Sequence, residues 1–210
     1  MADACCEKKS EAIAELAREA DQRRVLVAVM VINFAMFAAE LTGGIVARSS
    51  ALMADSVDMF GDAVVYALSL YAIDRGARWE AGAAILKGAI IFVFGVGVIL
   101  EIASKIAYGV PPSSTLMLVF GALALAANLT CLSLLWRFRK LNVNMSSTFE
   151  CSRNDVISNV GVLMAAGLVA TTGSFWPDIA VGGFIAVLFL RSAWRVLSEA
   201  VPAWRQAGAR

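Results

Sequence analysis

Histidine is absent from all 210 residues. Its absence excludes Ser-His and Cys-His catalysis, imidazole proton relays and every metal site that needs an imidazole ligand. Cysteine is scarce: Cys5 and Cys6 adjoin in a polar N-terminal stretch, while Cys131 and Cys151 lie in apolar segments. That spacing suits no secreted disulfide framework, so free thiols facing a reducing compartment are the simpler reading. Excess charge is missing too. Lys and Arg number 18 against 17 Asp and Glu, and a net charge of +1 gives no bulk attraction toward nucleic acid. No tandem repeat or low-complexity tract is present. No nucleophile–base arrangement is visible, so no enzyme is expected. The charged first 24 residues, with Glu7, Lys8, Lys9, Glu11, Glu15, Arg18 and Glu19, lack the features of a cleavable signal peptide.

What the chain has in abundance is apolar residues, 60% of the total. Soluble domains sit at about 45–50%, so the excess points to lipid as the solvent. Six stretches are long enough to cross a hydrocarbon core, which takes about 20 helical residues. They fall at 25–46, 51–73, 81–107, 114–138, 148–172 and 177–199. Short connections such as Pro111-Pro112-Ser113-Ser114 and Thr172-Gly173-Ser174 predict antiparallel neighbours. The expected organisation is a cytoplasmic tail over 1–24, a six-helix transmembrane domain over 25–199 and a short cytoplasmic tail over 200–210.

Orientation follows from the basic residues. Lys8, Lys9, Arg18, Arg23 and Arg24 precede the first span, Arg75, Arg78 and Lys87 flank the second connection, and Arg137, Arg139 and Lys140 follow the fourth span. Arg191, Arg195, Arg205 and Arg210 lie at the C-terminal end, against only Arg48 and Lys105 on the opposite side. The fold class is therefore an all-α membrane protein with six transmembrane helices and both termini cytoplasmic, placed in a cell inner membrane of bacterial type.

Acids stand where acids are expensive. A charged residue at the bilayer centre costs about 2.5–3.5 kcal/mol on insertion scales. Yet Glu40, Asp55, Asp58, Asp62, Glu101, Glu150 and Asp155 all fall within the spans. Asp58 and Asp62 are four residues apart, so they share one helical face at roughly 40° separation. Asp55 lies on the same stripe or serves as an interfacial cap. In the fifth span Cys151 and Asp155 repeat the four-residue spacing, and Asn159 continues the line. Set face to face, the two pairs bring together three carboxylates and one sulfur. That is a tetrahedral set of the kind Zn²⁺ accepts, with the thiol favouring softer ions such as Cd²⁺. Arg153 is the nearest candidate cation for these acids, Glu40 and Glu101 are read as packing or gating groups, and Gly43, Gly44, Gly95 and Gly97 as points of close helix approach.

The stretch Asn33…Glu40-Leu-Thr-Gly43-Gly44…Ser50-Ala-Leu-Met-Ala-Asp55-Ser-Val-Asp58-Met-Phe-Gly-Asp62 resembles the first two helices of the cation diffusion facilitator family. Cys151-Ser-Arg-Asn-Asp155-Val-Ile-Ser-Asn159-Val-Gly161 and Pro177-Asp178…Leu190-Arg-Ser-Ala-Trp194 are similar to its fifth and sixth. The resemblance implies a homodimeric transporter that exchanges cytoplasmic divalent metal for protons by alternating access. It implies a metal site at Asp58, Asp62, Cys151 and Asp155, with Asp55 outside the metal's immediate ligands. Asn159, Glu40 and Asn33 are candidates for supporting or gating roles. The expected cargo is Zn²⁺, or Cd²⁺ or Co²⁺, with no permanently bound cofactor. Two departures stand out: Cys151 occupies a position usually filled by His or Asp, and the family's usual C-terminal cytoplasmic domain is expected to be lacking. Two other functions fit an acidic membrane bundle, a proton-coupled organic-cation exporter with an aromatic-lined cavity and a non-transporting metal sensor or partner subunit.

Overall fold

A computed structural model describes the backbone over 2–72, 77–140 and 143–207, with side chains over 20–64, 66–67, 79, 81–82, 84–86, 88–140, 149 and 152–206. The side chains of Cys5, Cys6, Glu150 and Cys151, and those of Arg75, Arg78 and Lys87 in the orientation argument, lie outside these described residues. Six helices follow one another: α1 (Ala2–Ala47), α2 (Ser50–Ala72), α3 (Ala77–Tyr108), α4 (Ser114–Trp136), α5 (Val143–Thr172) and α6 (Trp176–Ala207). The described residues contain no strand. The protein is an all-α membrane protein.

The helices match the apolar stretches, but α1 and α6 run well past them. Residues 2–42 contain neither glycine nor proline, so nothing interrupts the helical ladder between the charged tail and the first span. The result is one continuous helix of 46 residues. At its end Arg48 adopts φ 53°, and Ser49 N–H donates to Gly44 O at 2.8 Å, closing the helix with a left-handed residue. A side-chain-bearing residue there costs about 1 kcal/mol. The tight reversal it permits lets α2 begin two residues later. Ser113 caps α4, and its own N–H donates to Ala47 O at 2.9 Å, tying the two connections at this end together.

Five helical segments have the length and apolar composition of membrane spans: Ala20–Ala47, Ala84–Tyr108, Ser114–Trp136, Ser152–Thr172 and Trp176–Gln206. The sixth helix, α2, does not qualify among the described residues, because Asp55, Asp58 and Asp62 dilute its 23 residues. Packing accounts for the difference. The helix is the one element that contacts all five others among the described residues, so Asp55 is buried and Asp58 and Asp62 are half-buried within the bundle. Around it α3 pairs mainly with α6, α1 with α2, and α4 with α5.

Between helices in lipid, association depends on close van der Waals packing more than on expulsion of water. Two glycines show how close. A side-chain carbon on Gly182 would stand 2.6 Å from the Ser50 carbonyl carbon, so α6 abuts the opening backbone of α2 with nothing between. One on Gly43 would enter the Phe120 ring at 2.5 Å, joining α1 to α4. Gly44 and Gly95 also lie against neighbouring side chains, whereas Gly97 faces open space and plays no part in close approach. Phe37, Phe60 and Phe94 knit α1, α2 and α3 together with ring centroids 4.7–5.9 Å apart. Val93, Leu100, Phe184, Val187 and Trp194 are exposed on α3 and α6, as lipid-facing residues should be.

Candidate metal centre

The antiparallel course of α2 and α5 sets their acids at matching heights. Asp155 on α5 is buried, and its carboxyl comes within hydrogen-bonding reach of Asp58 on α2. The charges of Asp62 and Asp55 also act on it. The spacing of four residues puts Asp62 one turn along the same face of α2, where the Tyr66 hydroxyl donates to its Oδ2 at 3.3 Å. Three of the expected ligands are therefore in one neighbourhood. Among the described residues no three His, Cys, Asp or Glu side chains close into a ligand cage. Cys151, the fourth expected ligand, lies one turn before Asp155 on α5, and its side chain is outside the described residues.

Next to these acids, toward the end of the bundle opposite the termini, lies a second polar layer. Asp55 is 1% exposed and Glu40 is fully buried. Their carboxyls face each other across α1 and α2. Among the described residues neither Glu40 oxygen meets an N–H or O–H donor, so only an acid proton or another cation can turn this approach into an attraction. On its other side Asp55 accepts from Asn159 Nδ2 at 2.5 Å, and Asn159 Oδ1 accepts from Asn128 Nδ2 at 3.1 Å. One chain of polar groups thus links α1, α2, α5 and α4. Asp55 is accordingly an interior group with defined partners, and the interfacial reading is set aside.

On the opposite side, toward the termini, Asn33 of α1 donates to Val29 O at 2.9 Å and approaches the buried Cys131 sulfur of α4 at 3.8 Å. Among the described residues its Oδ1 is buried without a partner. Arg153 is exposed, while Asp155, half a turn away, is buried.

Sequence reasoning missed Asn128, Cys131 and Tyr66. A signal existed for the first: Asn128 is an amide in the middle of an otherwise apolar span, and such groups turn inward to find partners. It also missed the pairing of Lys105 with Asp178, which joins residues far apart in the sequence. Lys105 Nζ lies 2.6 Å from Asp178 Oδ2, with the lysine side chain 3% exposed and the aspartate 0%. Glu101, read as a packing or gating group, contacts both Ser50 Oγ and Lys105.

One wide apolar groove of about 350 Å³ runs between α1 and α2, lined by Met30, Val31, Phe34, Phe60 and Ala63 among others. It is aromatic in part, but none of its lining residues is acidic. It therefore lacks the charge that an organic-cation site requires.

Relatives agree with this architecture. The chain is 29% identical over 185 residues to the metal cation efflux system protein CzcD of Cupriavidus metallidurans, covering 78% of this chain and 58% of that protein. It is 24% identical over 191 residues to a cadmium, cobalt and zinc/H(+)-K(+) antiporter of Bacillus velezensis, covering 82% and 61%. It is 26% identical over 195 residues to the zinc transporter ZitB of Yersinia pestis, covering 87% and 62%. The chain thus spans about three-fifths of the length of these relatives. A family model, the cation efflux transmembrane domain, matches residues 26–203. With that match extending over nearly all of the six-helix bundle, the chain belongs to the cation efflux family.

Proposed function

We propose that this protein exports divalent transition-metal cations from the cytoplasm in exchange for protons, by alternating access, with Zn²⁺ as the foremost cargo and Cd²⁺ and Co²⁺ as further ones. The observation that carries the reading is the meeting of Asp155 from α5 with Asp58 from α2 inside the bundle, with Asp62 close by. Buried like charges are tolerated only when protonated, paired or bound to a cation. Cys151 stands at the spacing that completes the set with a soft donor, which suits Zn²⁺ and Cd²⁺ better than Mg²⁺ or Ca²⁺.

Carboxylates must be deprotonated to ligate a metal, so binding and proton release are linked. A cation entering between α2 and α5 displaces protons, and protons returning from the other side displace the cation. Glu40 and Asp55, stacked beside the metal ligands, extend the acidic path toward the far end of the bundle. The names of the relatives, which refer to cation efflux, zinc transport and antiport with H(+), support the same reading. The protein works as a multi-pass inner-membrane protein with both termini cytoplasmic, and as a homodimer.

The test is flux into liposomes that contain a metal-sensitive dye and a pH dye, with purified protein reconstituted in a known orientation. Zn²⁺ movement with opposite proton movement is the expected result, and Asp62→Ala or Asp155→Ala should abolish both while the bundle stays folded. Full zinc transport by both variants would remove the proposed site.

A further inference from the structure

The end of the bundle opposite the termini holds a second ionic centre, separate from the acids between α2 and α5. Asp178, in the first turn of α6, is fully buried and accepts four hydrogen bonds. These come from Ser49 Oγ at 2.6 Å, Ser50 N at 2.9 Å, Ala51 N at 3.1 Å and Lys105 Nζ at 2.6 Å. Two of the donors are backbone N–H groups at the start of α2, where the helix dipole favours an anion. Lys105, in the last turn of α3, is held in a cage of oxygens. Besides Asp178, its ammonium reaches Arg48 O at 2.5 Å, Ser50 Oγ at 3.1 Å and Glu101 Oε1 at 3.7 Å.

The pair fastens α3 and α6 to the opening turn of α2. One turn along α6 from Asp178, Gly182 allows the two backbones to touch, so the fastening is tight as well as charged. Outside it lies an open vestibule of about 370 Å³, lined by Arg48, Glu101, Ser104, Lys105, Tyr108 and Val110. Lys105 forms part of that vestibule's wall. On its inner side, Ala51 and Leu52 are fully buried, and Asp55 follows one turn further along α2. The ion pair therefore stands between the vestibule, at the α1–α2 connection and the end of α3, and Asp55 further along α2.

We propose that Lys105 and Asp178 form the outer gate of the transport path. While the pair is made, the α3–α6 unit is pinned to α2 and the acids are closed off from the vestibule. Release to the outside requires the pair to part, which frees Asp178 and Glu101 to face the departing cation. Lys105 is a positioning residue in this scheme: it acts through the placement of α3 and α6 and not as a metal ligand. The proposal rests on reading the chain as an exporter with its termini in the cytoplasm.

The test uses accessibility, which needs no metal. Ala51→Cys places a thiol directly under the pair, and a membrane-impermeant thiol reagent is added from the side opposite the termini. Labelling without the added cysteine gives the background from the natural thiols. The parent Ala51→Cys chain should label slowly. Adding Lys105→Met should raise the rate by about tenfold or more, since removing one partner of a buried ion pair strongly favours the separated state. Lys105→Arg, which keeps the charge, should stay at the parent rate. Lys105→Gln, which keeps hydrogen bonding without charge, provides a second neutral variant should Lys105→Met not be recovered as a monodisperse protein, and it should also label faster. A neutral variant that labels no faster than Lys105→Arg overturns the gate. Absence of zinc flux in the parent would sink the exporter reading while leaving the labelling result intact, so the two failures are distinguishable.

Discussion

The two ionic centres of this bundle are opposites. At the far end every charge is answered: Asp178 has four donors, and Lys105 has two carboxylates, a hydroxyl and a carbonyl around it. Between α1, α2 and α5 the described acids stand beside one another, and Glu40 meets no donor at either oxygen. The first arrangement is electrostatically complete and holds helices in place. The second gathers carboxylates from three helices and is incomplete at Glu40, whose oxygens have no hydrogen-bond partner among the described residues.

Several substitutions break or sharpen this contrast. The largest effect is expected for Asp155→Asn, which removes one charge from the incomplete centre and leaves its shape. High-affinity Zn²⁺ binding, measured by equilibrium dialysis, should disappear while thermal stability holds or rises, because less like charge is then confined. A stable variant that still binds Zn²⁺ as the parent does would show that the acids are not the cargo site. Gly182→Ala acts on the complete centre by forcing a methyl group into the Ser50 backbone. It should lower stability by about 1–3 kcal/mol, the usual cost of overpacking, as read from thermal unfolding in detergent. Unchanged stability would mean that α6 and α2 are not in close contact.

A smaller effect is expected for Cys151→Asp, which changes the donor at the incomplete centre from sulfur to oxygen. Preference for Cd²⁺ over Zn²⁺ should fall by about tenfold in competition binding, since soft ions favour sulfur. Identical rankings would exclude Cys151 as a ligand. The smallest is Asn128→Ala, which removes the terminal donor of the chain through Asn159 to Asp55. A loss of about 1 kcal/mol in stability, the worth of a typical hydrogen bond, is expected with zinc binding retained.

The sequence made the helices easy to find, because apolar length in lipid permits little else. It also made the acids conspicuous, and their four-residue spacing revealed a common face. In the fold the Asp155 carboxyl comes within reach of Asp58. Helix ends were less legible. The charged tail looked like a separate element, yet with no glycine or proline before Gly43 it simply continues α1. The membrane propensity of α2 is obscured by its own acids, and only its position among five neighbours explains how they are accommodated. The Lys105–Asp178 pair was invisible because it joins residues 73 positions apart, a relation fixed by how α3 packs on α6. The approach of Asn33 to Cys131, 98 positions apart, is hidden for the same reason.

The central place of α2 has a consequence for how this chain tolerates change. A lipid-facing residue on α3, such as Val93 or Leu100, can be exchanged for another apolar one with little to notice it. Along the described part of α2 most side chains are buried or half-buried against other helices, and Ala67 is the exposed exception. Drift in sequence should therefore accumulate around the perimeter of the bundle and stall at its axis.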